Sequence, residues 1–206
     1  MPSVASYSLV VLIGYLLGSL NLAVLLAKRR GVDLRAGGSG NPGASNTVTL
    51  MGWKAGVLVG VHDIAKAALA VWLCTKLFPA LPYAGITAGV SCVLGHIFPF
   101  YLRFRGGKGF ASYLGMTLAL NWKFALAIGL AIVILVLITD YIVVGTMATV
   151  VSFPVFCAIN HLYITALLLC LASLVIIWKH RANLVRICHG TEIKVRSAGK
   201  GSYRVK

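Results

Sequence analysis

Acidic residues are scarce in this chain of 206 residues, which has four Asp and Glu against nineteen Lys and Arg. A catalytic mechanism built on paired carboxylates therefore has little to draw on. The five cysteines show neither CxxC nor metal-ligand spacing, which argues against a cysteine-held metal site. The sequence also has no basic stretch ahead of its first apolar run. We therefore expect that run to remain as a membrane helix and not to be removed as a signal peptide.

Apolar residues are abundant. They make up 59% of the chain, and the mean hydropathy is +0.91, which is more than the core of a soluble domain needs. A net charge of +15 would suit a nucleic-acid-binding protein, but the basic residues are not spread over the chain. Fifteen of the nineteen fall in three clusters, with four in 28–35, three in 103–108 and eight in 179–206. Such clusters mark the cytoplasmic loops of membrane proteins and attract anions and lipid headgroups. The sequence predicts an integral membrane protein that contacts membrane lipids and binds no nucleic acid.

The apolar runs also predict the topology, since about 20 apolar residues span a bilayer. Single spans are expected at Val4–Ala27, Ala55–Phe78, Tyr83–Tyr101, Val143–Ala158 and Leu162–Trp178. The run 110–139 is too long for one upright span, and Asn121, Trp122 and Lys123 interrupt it. Counting it as two short or tilted spans places all three basic clusters on one side. We therefore predict an all-α protein with seven transmembrane helices, the N-terminus outside and the C-terminus cytoplasmic, divided into a membrane domain (1–180) and a basic tail (181–206).

Three polar stretches would meet on the cytoplasmic face, and two of them are short glycine-rich loops between helices. The first, 38–46, contains three glycines and a proline and cannot continue a helix. Its N–H groups can instead converge on a phosphate, with side-chain hydrogen bonds from Ser39, Asn41, Ser45 and Asn46. The second stretch is 103–109 with Ser112, and the third is 180–183 with Arg186 and Glu192. The match of 38–43 to a dinucleotide-binding fingerprint is rejected because a membrane helix, not a strand, precedes it.

These stretches, read as GSGNPGASN (38–46), GGKGFAS (106–112) and HRANLVR (180–186) with Glu192, resemble the three motifs of the bacterial acyl-phosphate-dependent glycerol-3-phosphate acyltransferases. The resemblance covers nearly the whole chain. It implies a multi-pass enzyme of the bacterial inner membrane whose active site faces the cytoplasm. That enzyme would move a fatty acyl group from acyl phosphate to the 1-hydroxyl of glycerol 3-phosphate, giving lysophosphatidic acid and phosphate for phospholipid biosynthesis. The resemblance implies neither a metal nor a cofactor.

The resemblance also implies roles for individual residues. Catalysis falls to Ser39, Lys108, His180 and Asn183. Substrate binding falls to Gly38, Gly40, Asn41, Gly43, Asn46, Gly106, Gly107, Gly109 and Ser112. Asp63, Lys66, His96 and Glu192 would support the site. Two positions depart from the family pattern: Thr49 stands where an arginine usually contacts the substrate phosphate, and Ala67 replaces a glycine in the second helix.

A mechanism follows from these residue types. Lys108 and backbone N–H groups would stabilise charge on the departing phosphate. Acyl phosphate is already activated, so the glycerol hydroxyl can attack it directly without an acyl-enzyme. Either His180 or a substrate phosphate oxygen would accept the proton. Each residue also has a structural interpretation, with Ser39 as a helix cap, Lys108 as a membrane-surface anchor, and Asp63 with Lys66 as a pair facing the bundle interior.

Two other functions fit parts of the sequence. Intramembrane Asp63, Lys66 and His96 would suit a transporter of organic anions. The departure at Thr49 would suit a paralogue that binds lipid without turnover or has an altered substrate. The grouping of the glycine motifs at one surface favours acyl transfer over transport.

Overall fold

The computed structural model describes residues 4–198, and within them it contains helices and loops and no strand. The helices are α1 (Val4–Ser19), α2 (Leu22–Arg29), α3 (Ala44–Met51), α4 (Trp53–Leu77), α5 (Ala84–Ile97), α6 (Phe110–Leu120), α7 (Trp122–Thr139), α8 (Ile142–Ile159) and α9 (Tyr163–Cys188). Six stretches are long and apolar enough to cross a membrane: Val4–Arg29, Trp53–Leu77, Ala84–Leu102, Trp122–Thr139, Ile142–Ile159 and Tyr163–Cys188. The predicted all-α membrane architecture is confirmed at this level. The tail beyond residue 198 lies outside the described residues.

The outer faces of these helices are apolar. On α7, for example, the side chains of Leu130 and Ile138 are 65% and 75% exposed. A helix that is apolar on all sides suits a lipid environment, where its backbone groups are satisfied internally. The surface of the bundle therefore matches the membrane setting predicted from composition.

The long apolar run 110–139 is divided at Asn121, as predicted. Asn121 ends α6 and also caps α7, because its side-chain oxygen accepts a hydrogen bond from the N–H of Phe124 at 2.9 Å. With 11 residues, α6 is only about 16 Å long and falls well short of a bilayer core of about 30 Å.

The first apolar run differs from the prediction, since it is broken between α1 and α2. The side-chain oxygen of Asn21 accepts from the N–H of Val24 at 3.1 Å and so starts a new helix. The exposed carbonyl of Leu20 accepts a hydrogen bond from the ammonium of Lys66 at 2.6 Å. The apolar span predicted at Val4–Ala27 is present, but it consists of two helices, because one asparagine satisfies a helix start inside apolar sequence.

The last apolar run also differs, because α9 continues past Trp178 to Cys188. The predicted boundary at residue 180 falls inside this helix. Residues 180–186 of the third motif therefore lie on this helix, where residues three apart share a face, and Glu192 follows its end.

Close helix contacts hold the bundle around α5. A side chain at Gly14 or Gly18 of α1 would collide with the backbone of Ala88 or Cys92 on α5, so the two helices approach at small residues. The main core packs against the other side of α5 and includes Val93, Ile97, Tyr113, Met116, Phe153, Leu169 and Ile176. This packing holds the ends of α4, α5, α6 and α9 together on one side of the bundle.

The α1–α5 contact predicts a stability effect. Gly18→Ala is expected to lower the free energy of unfolding by about 1–3 kcal/mol, because the added methyl group meets backbone atoms that cannot rotate away. A lower Tm is the observable result. The measurement is thermal unfolding of the detergent-solubilised protein. Gly129→Ala is the matched control, since a methyl group there meets nothing within 4 Å. Equal Tm values for the two variants would contradict the proposed close packing.

Candidate active site

The first glycine loop owes its shape to a buried asparagine. Asn46 is 1% exposed; its side-chain oxygen accepts from the N–H of Ser39 at 2.8 Å, and its amide donates to the carbonyl of Leu34 at 2.8 Å. Gly38 and Gly40 have φ of +57° and +66°, a conformation that glycine adopts without strain. Asn46 was predicted to bind substrate, but the structure places it beneath the loop, where both ends of its amide already have backbone partners.

The second glycine loop is held against the end of α5. The N–H groups of Gly106 and Gly107 donate to the carbonyls of Ile97 and His96 at 3.0 and 3.1 Å. A side chain at Gly107 would collide with the His96 ring. These two glycines therefore let the loop pack closely, and they do not present their backbone to a ligand as predicted. Gly109, with φ of +91°, starts α6.

Ser112 follows in the first turn of α6. Its side chain is fully buried, and its hydroxyl has no hydrogen-bond partner among the described residues. Ser112 is not among the residues that line the cavity described below.

The third motif forms a chain of polar contacts that reaches the second loop. The ammonium of Lys108 donates to the Asn183 side-chain oxygen at 2.5 Å, and the Asn183 amide donates to Glu192 at 2.5 Å. The other Glu192 oxygen accepts from Arg186 at 2.7 Å. Asn183 thus joins a cation to an anion, and both ends of its amide are oriented by charge. Glu192 thus holds Asn183 and Arg186 of α9 through its two oxygens.

The environment of Lys108 affects its charge. Burial lowers the pKa of the Lys108 ammonium to about 8, with Glu192 acting in the opposite direction and Arg186 and Lys179 adding to the decrease. A lysine in this range changes charge close to neutral pH. The Lys108 side chain can therefore hold an anion as a cation or lose its proton with a small rise in pH.

His180 has a defined tautomer. Its Nδ1 lies 2.8 Å from the carbonyl of Ile176, one turn earlier in α9. A carbonyl accepts only, so Nδ1 carries the proton, and Nε2 of the neutral ring is the acceptor. The side chain is 5% exposed. This arrangement leaves Nε2 as the ring atom that can accept a proton.

A buried ionic cluster lies between α4, α5 and the break after α1. The ammonium of Lys66 is 2.8 Å from Asp63, 3.0 Å from Nδ1 of His96 and 2.6 Å from the carbonyl of Leu20. All three side chains are less than 5% exposed. The predicted Asp63–Lys66 pair is present and faces the bundle interior, where it links α4 to α5 and to the end of α1.

One cavity of about 350 Å³ brings the three motifs together. The predicted residues that line it are Ser39, Asn41, Gly43, Asp63, His96, Lys108, Gly109, His180, Asn183 and Glu192. The cavity is not lined by the other predicted residues, which are Gly38, Gly40, Asn46, Lys66, Gly106, Gly107 and Ser112. Thr49, where the family pattern departs, also lines the cavity. The polar end therefore combines a loop with hydroxyl and amide side chains, Lys108 of the second loop, and an oriented histidine.

Two parts of the wall were missed in the sequence. The first is an apolar side formed by Val48, Trp53, Val57, Phe110, Leu114, Ile142 and Val143. Trp53 and Val57 are also more than half exposed on the outer surface, so this side reaches the lipid-facing surface. The sequence did contain a signal for this apolar side, because Trp53 and Val57 are four residues apart at the start of α4 and therefore share a helix face.

The second missed part is the segment after α9, here called the strap (Thr191–Ala198). Its Ile193, Lys194, Val195 and Ala198 line the cavity. Beyond the cavity, the N–H of Val195 donates to the carbonyl of Asp140 at 2.9 Å, and the N–H of Arg196 donates to the Asp140 carboxylate at 3.0 Å. Asp140 lies between α7 and α8, so the strap crosses from α9 to the opposite side of the cavity. The sequence carries no periodic signal for such a segment.

Comparisons with known proteins agree with this geometry. The family model described as glycerol-3-phosphate acyltransferase matches residues 8–190. A glycerol-3-phosphate acyltransferase from Myxococcus xanthus (strain DK1622) is 39% identical over 191 residues, covering 90% of this chain and 97% of the relative. One from Geobacillus kaustophilus (strain HTA426) is 36% identical over 198 residues, covering 95% and 99%.

Solved structures are similar over the same extent. The crystal structure of PlsY (YgiH), an integral membrane glycerol 3-phosphate acyltransferase, in its glycerol 3-phosphate form has a TM-score of 0.86 and 32% identity, with 92% of this chain and 95% of that chain covered. Its lysophosphatidic acid form has a TM-score of 0.82 and 31% identity over the same shares of the two chains.

Proposed function

The chain belongs to the glycerol-3-phosphate acyltransferase family, and from this premise we propose that it acylates the 1-hydroxyl of glycerol 3-phosphate in a membrane, with acyl phosphate as the donor. The products are lysophosphatidic acid and inorganic phosphate. The observation that carries the proposal is the convergence of Ser39, Lys108, His180 and Asn183 on one cavity whose other side is apolar. A phosphorylated head and a fatty tail need these two kinds of wall.

The proposed reaction is a direct acyl transfer. The glycerol oxygen attacks the acyl carbonyl carbon, the bond between that carbon and the phosphate oxygen breaks, and phosphate leaves with the electron pair. Nε2 of His180 accepts the hydroxyl proton, which its tautomer allows. Lys108, held by Asn183, stabilises the negative charge on the leaving group. The same set of groups requires neither a metal nor an acyl-enzyme.

The two substrates occupy different parts of the cavity in this proposal. The side chains of Ser39 and Asn41 and the N–H group of Gly109 bind phosphate oxygens. The acyl chain lies along the apolar side and enters from the lipid between the start of α4, at Trp53 and Val57, and α8, at Ile142. Product leaves by the same lateral route into the membrane.

We also propose the finer topology. Counting the short helix α6 as a seventh span gives an odd number of crossings, which places the N-terminus outside and all three motifs on the cytoplasmic side. The positive-inside rule supports this orientation, because the basic clusters 28–35, 103–108 and 179–206 then share one face. The setting is the bacterial inner membrane.

The direct test uses purified, detergent-solubilised protein with palmitoyl phosphate and labelled glycerol 3-phosphate. Labelled lysophosphatidic acid is the expected product, released together with one phosphate per acyl group transferred. Parallel reactions with palmitoyl-CoA are expected to give none. Product from the thioester alone would overturn the donor assignment.

The same preparation separates the two other functions. Reconstituted into liposomes, a transporter would take up labelled glycerol 3-phosphate unchanged. A non-catalytic paralogue would bind the substrates, seen as a rise in Tm, and form no lysophosphatidic acid. Either result would overturn the proposed acyl transfer.

A further inference from the structure

We propose that Lys194, on the strap, is a second substrate-binding cation that holds the phosphate group of a substrate in the same cavity as Lys108. The inference rests on the proposed acyl transfer and concerns the same cavity. Lys194 is one of two lysines that line the cavity within residues 4–198, and the other is Lys108. It lies outside the three motifs and was not among the expected site residues.

The two lysines differ in what surrounds them. Lys108 already donates to Asn183, and through Asn183 it is connected to Glu192. The ammonium of Lys194 has no hydrogen-bond or ion-pair partner within the described part of the chain. Every acidic side chain of the protein has a different partner: Asp33 accepts from the Arg35 N–H, Asp63 pairs with Lys66, Asp140 accepts from the Arg196 N–H, and Glu192 binds Arg186. The charge of Lys194 is therefore available to a ligand.

The strap fixes the position of Lys194. On one side, two residues away, Glu192 is bound by Asn183 and Arg186 of α9. On the other side, Val195 and Arg196 are bound to Asp140, and the Arg196 guanidinium also donates to the carbonyl of Leu137 at 2.8 Å. Anchors on both sides hold the backbone of Lys194 at the cavity edge. A side chain presented in this way loses little backbone freedom on binding, which favours its use as a contact.

The chemistry of the substrates calls for more than one cation. Glycerol 3-phosphate and acyl phosphate are both anions, and two phosphate groups must lie close together for transfer. One lysine carries a single positive charge and cannot neutralise both groups, and like charges at short range in a partly desolvated cavity repel strongly. A second ammonium at the cavity reduces this repulsion. Lysine suits the role, since it binds phosphate as a point charge without fixed geometry.

The test compares Lys194→Gln with Lys194→Arg in the acyl-transfer assay, varying each substrate separately. Lys194→Gln is expected to raise KM for glycerol 3-phosphate or for acyl phosphate by about tenfold, with a smaller effect on kcat, because a charged hydrogen bond to phosphate is lost. Lys194→Arg is expected to keep KM near that of the parent. The substrate whose KM rises identifies which phosphate Lys194 binds.

Two further variants separate a local contact from general attraction. Lys28→Gln removes the same charge from an exposed lysine that does not line the cavity, and its KM values are expected to match those of the parent. Thr49→Arg, added to Lys194→Gln, places a new cation on another wall of the cavity and is expected to restore part of the lost affinity.

The outcomes also separate this inference from the proposed function. A parent protein without turnover would refute the acyl transfer itself. An active parent with unchanged KM values in Lys194→Gln would overturn only the role of Lys194. A rise in KM that Lys194→Arg shares, or that Lys28→Gln reproduces, would also overturn it, because the loss would then be structural or non-specific.

Discussion

His180→Asn is expected to lower kcat by about 10² to 10⁴-fold, the usual range for loss of a general base, while the protein stays folded. The asparagine amide nitrogen can take the place of Nδ1 and keep the hydrogen bond to the Ile176 carbonyl. Nothing replaces Nε2, so the acceptor facing the reaction is lost. Initial rates of lysophosphatidic acid formation measure the effect, and the Tm of the variant checks the fold.

His189 offers a matched control for this substitution. Its Nδ1 makes the same one-turn contact, 2.8 Å from the carbonyl of Val185 on the same helix, but its side chain is exposed and does not line the cavity. His189→Asn is expected to leave kcat unchanged. If His180→Asn were equally active, the proton would pass to a phosphate oxygen of the substrate, and His180 would have only a structural role.

Lys108→Met is expected to lower kcat/KM by about 10² to 10³-fold, as loss of a group that stabilises transition-state charge does. The methionine keeps much of the volume of the side chain and removes the ammonium that contacts Asn183. Lys54→Met is the control, because Lys54 is an exposed lysine that does not line the cavity. A Lys108→Met protein with normal turnover would leave Lys108 as no more than a surface anchor.

The role of Lys108 can also be tested by measuring how the activity changes with pH. The Lys108 ammonium, with its pKa lowered to about 8, is charged below that pH and neutral above it. Activity that needs the cation is therefore expected to be full below pH 8 and to fall as the pH rises through 8. In Lys108→Arg, whose guanidinium stays charged, this alkaline decline is expected to disappear. Spontaneous hydrolysis of the acyl phosphate, measured in parallel, corrects the rates at each pH.

Much of the fold was predictable because the positions of the helices follow from the length of the apolar runs and from the polar residues between them. Apolar runs marked the helices, and the polar triplet at Asn121 correctly divided α6 from α7. The break at Asn21 was not predictable from hydropathy, since one polar residue hardly changes the average of a long apolar run. Its cause is tertiary: Lys66, far along the chain, supplies the donor that the broken helix needs at Leu20.

The sequence located the segments that form the site, but it did not show which of their side chains face the cavity. Glycine-rich composition located the two loops, yet it did not distinguish Ser39, which lines the cavity, from Asn46, which holds the loop from below. That distinction depends on which way each side chain turns within an irregular loop. The strap was missed for a different reason, because its place depends on hydrogen bonds to Asp140, a partner distant in sequence.

The small number of carboxylates, and the bonds that they make within the protein, affect how anionic substrates approach the cavity. Each one is bound to a backbone N–H or to a side chain of the protein itself, and three of the four lie close to an arginine or lysine in sequence. Four carboxylates cannot balance nineteen basic groups, so the net charge of the protein remains +15. Anions diffusing toward the molecule are drawn in over a distance set by the ionic atmosphere, which is about 10 Å at 0.1 M salt. The frequency of productive encounters is thus governed by ionic strength before any contact inside the cavity is made.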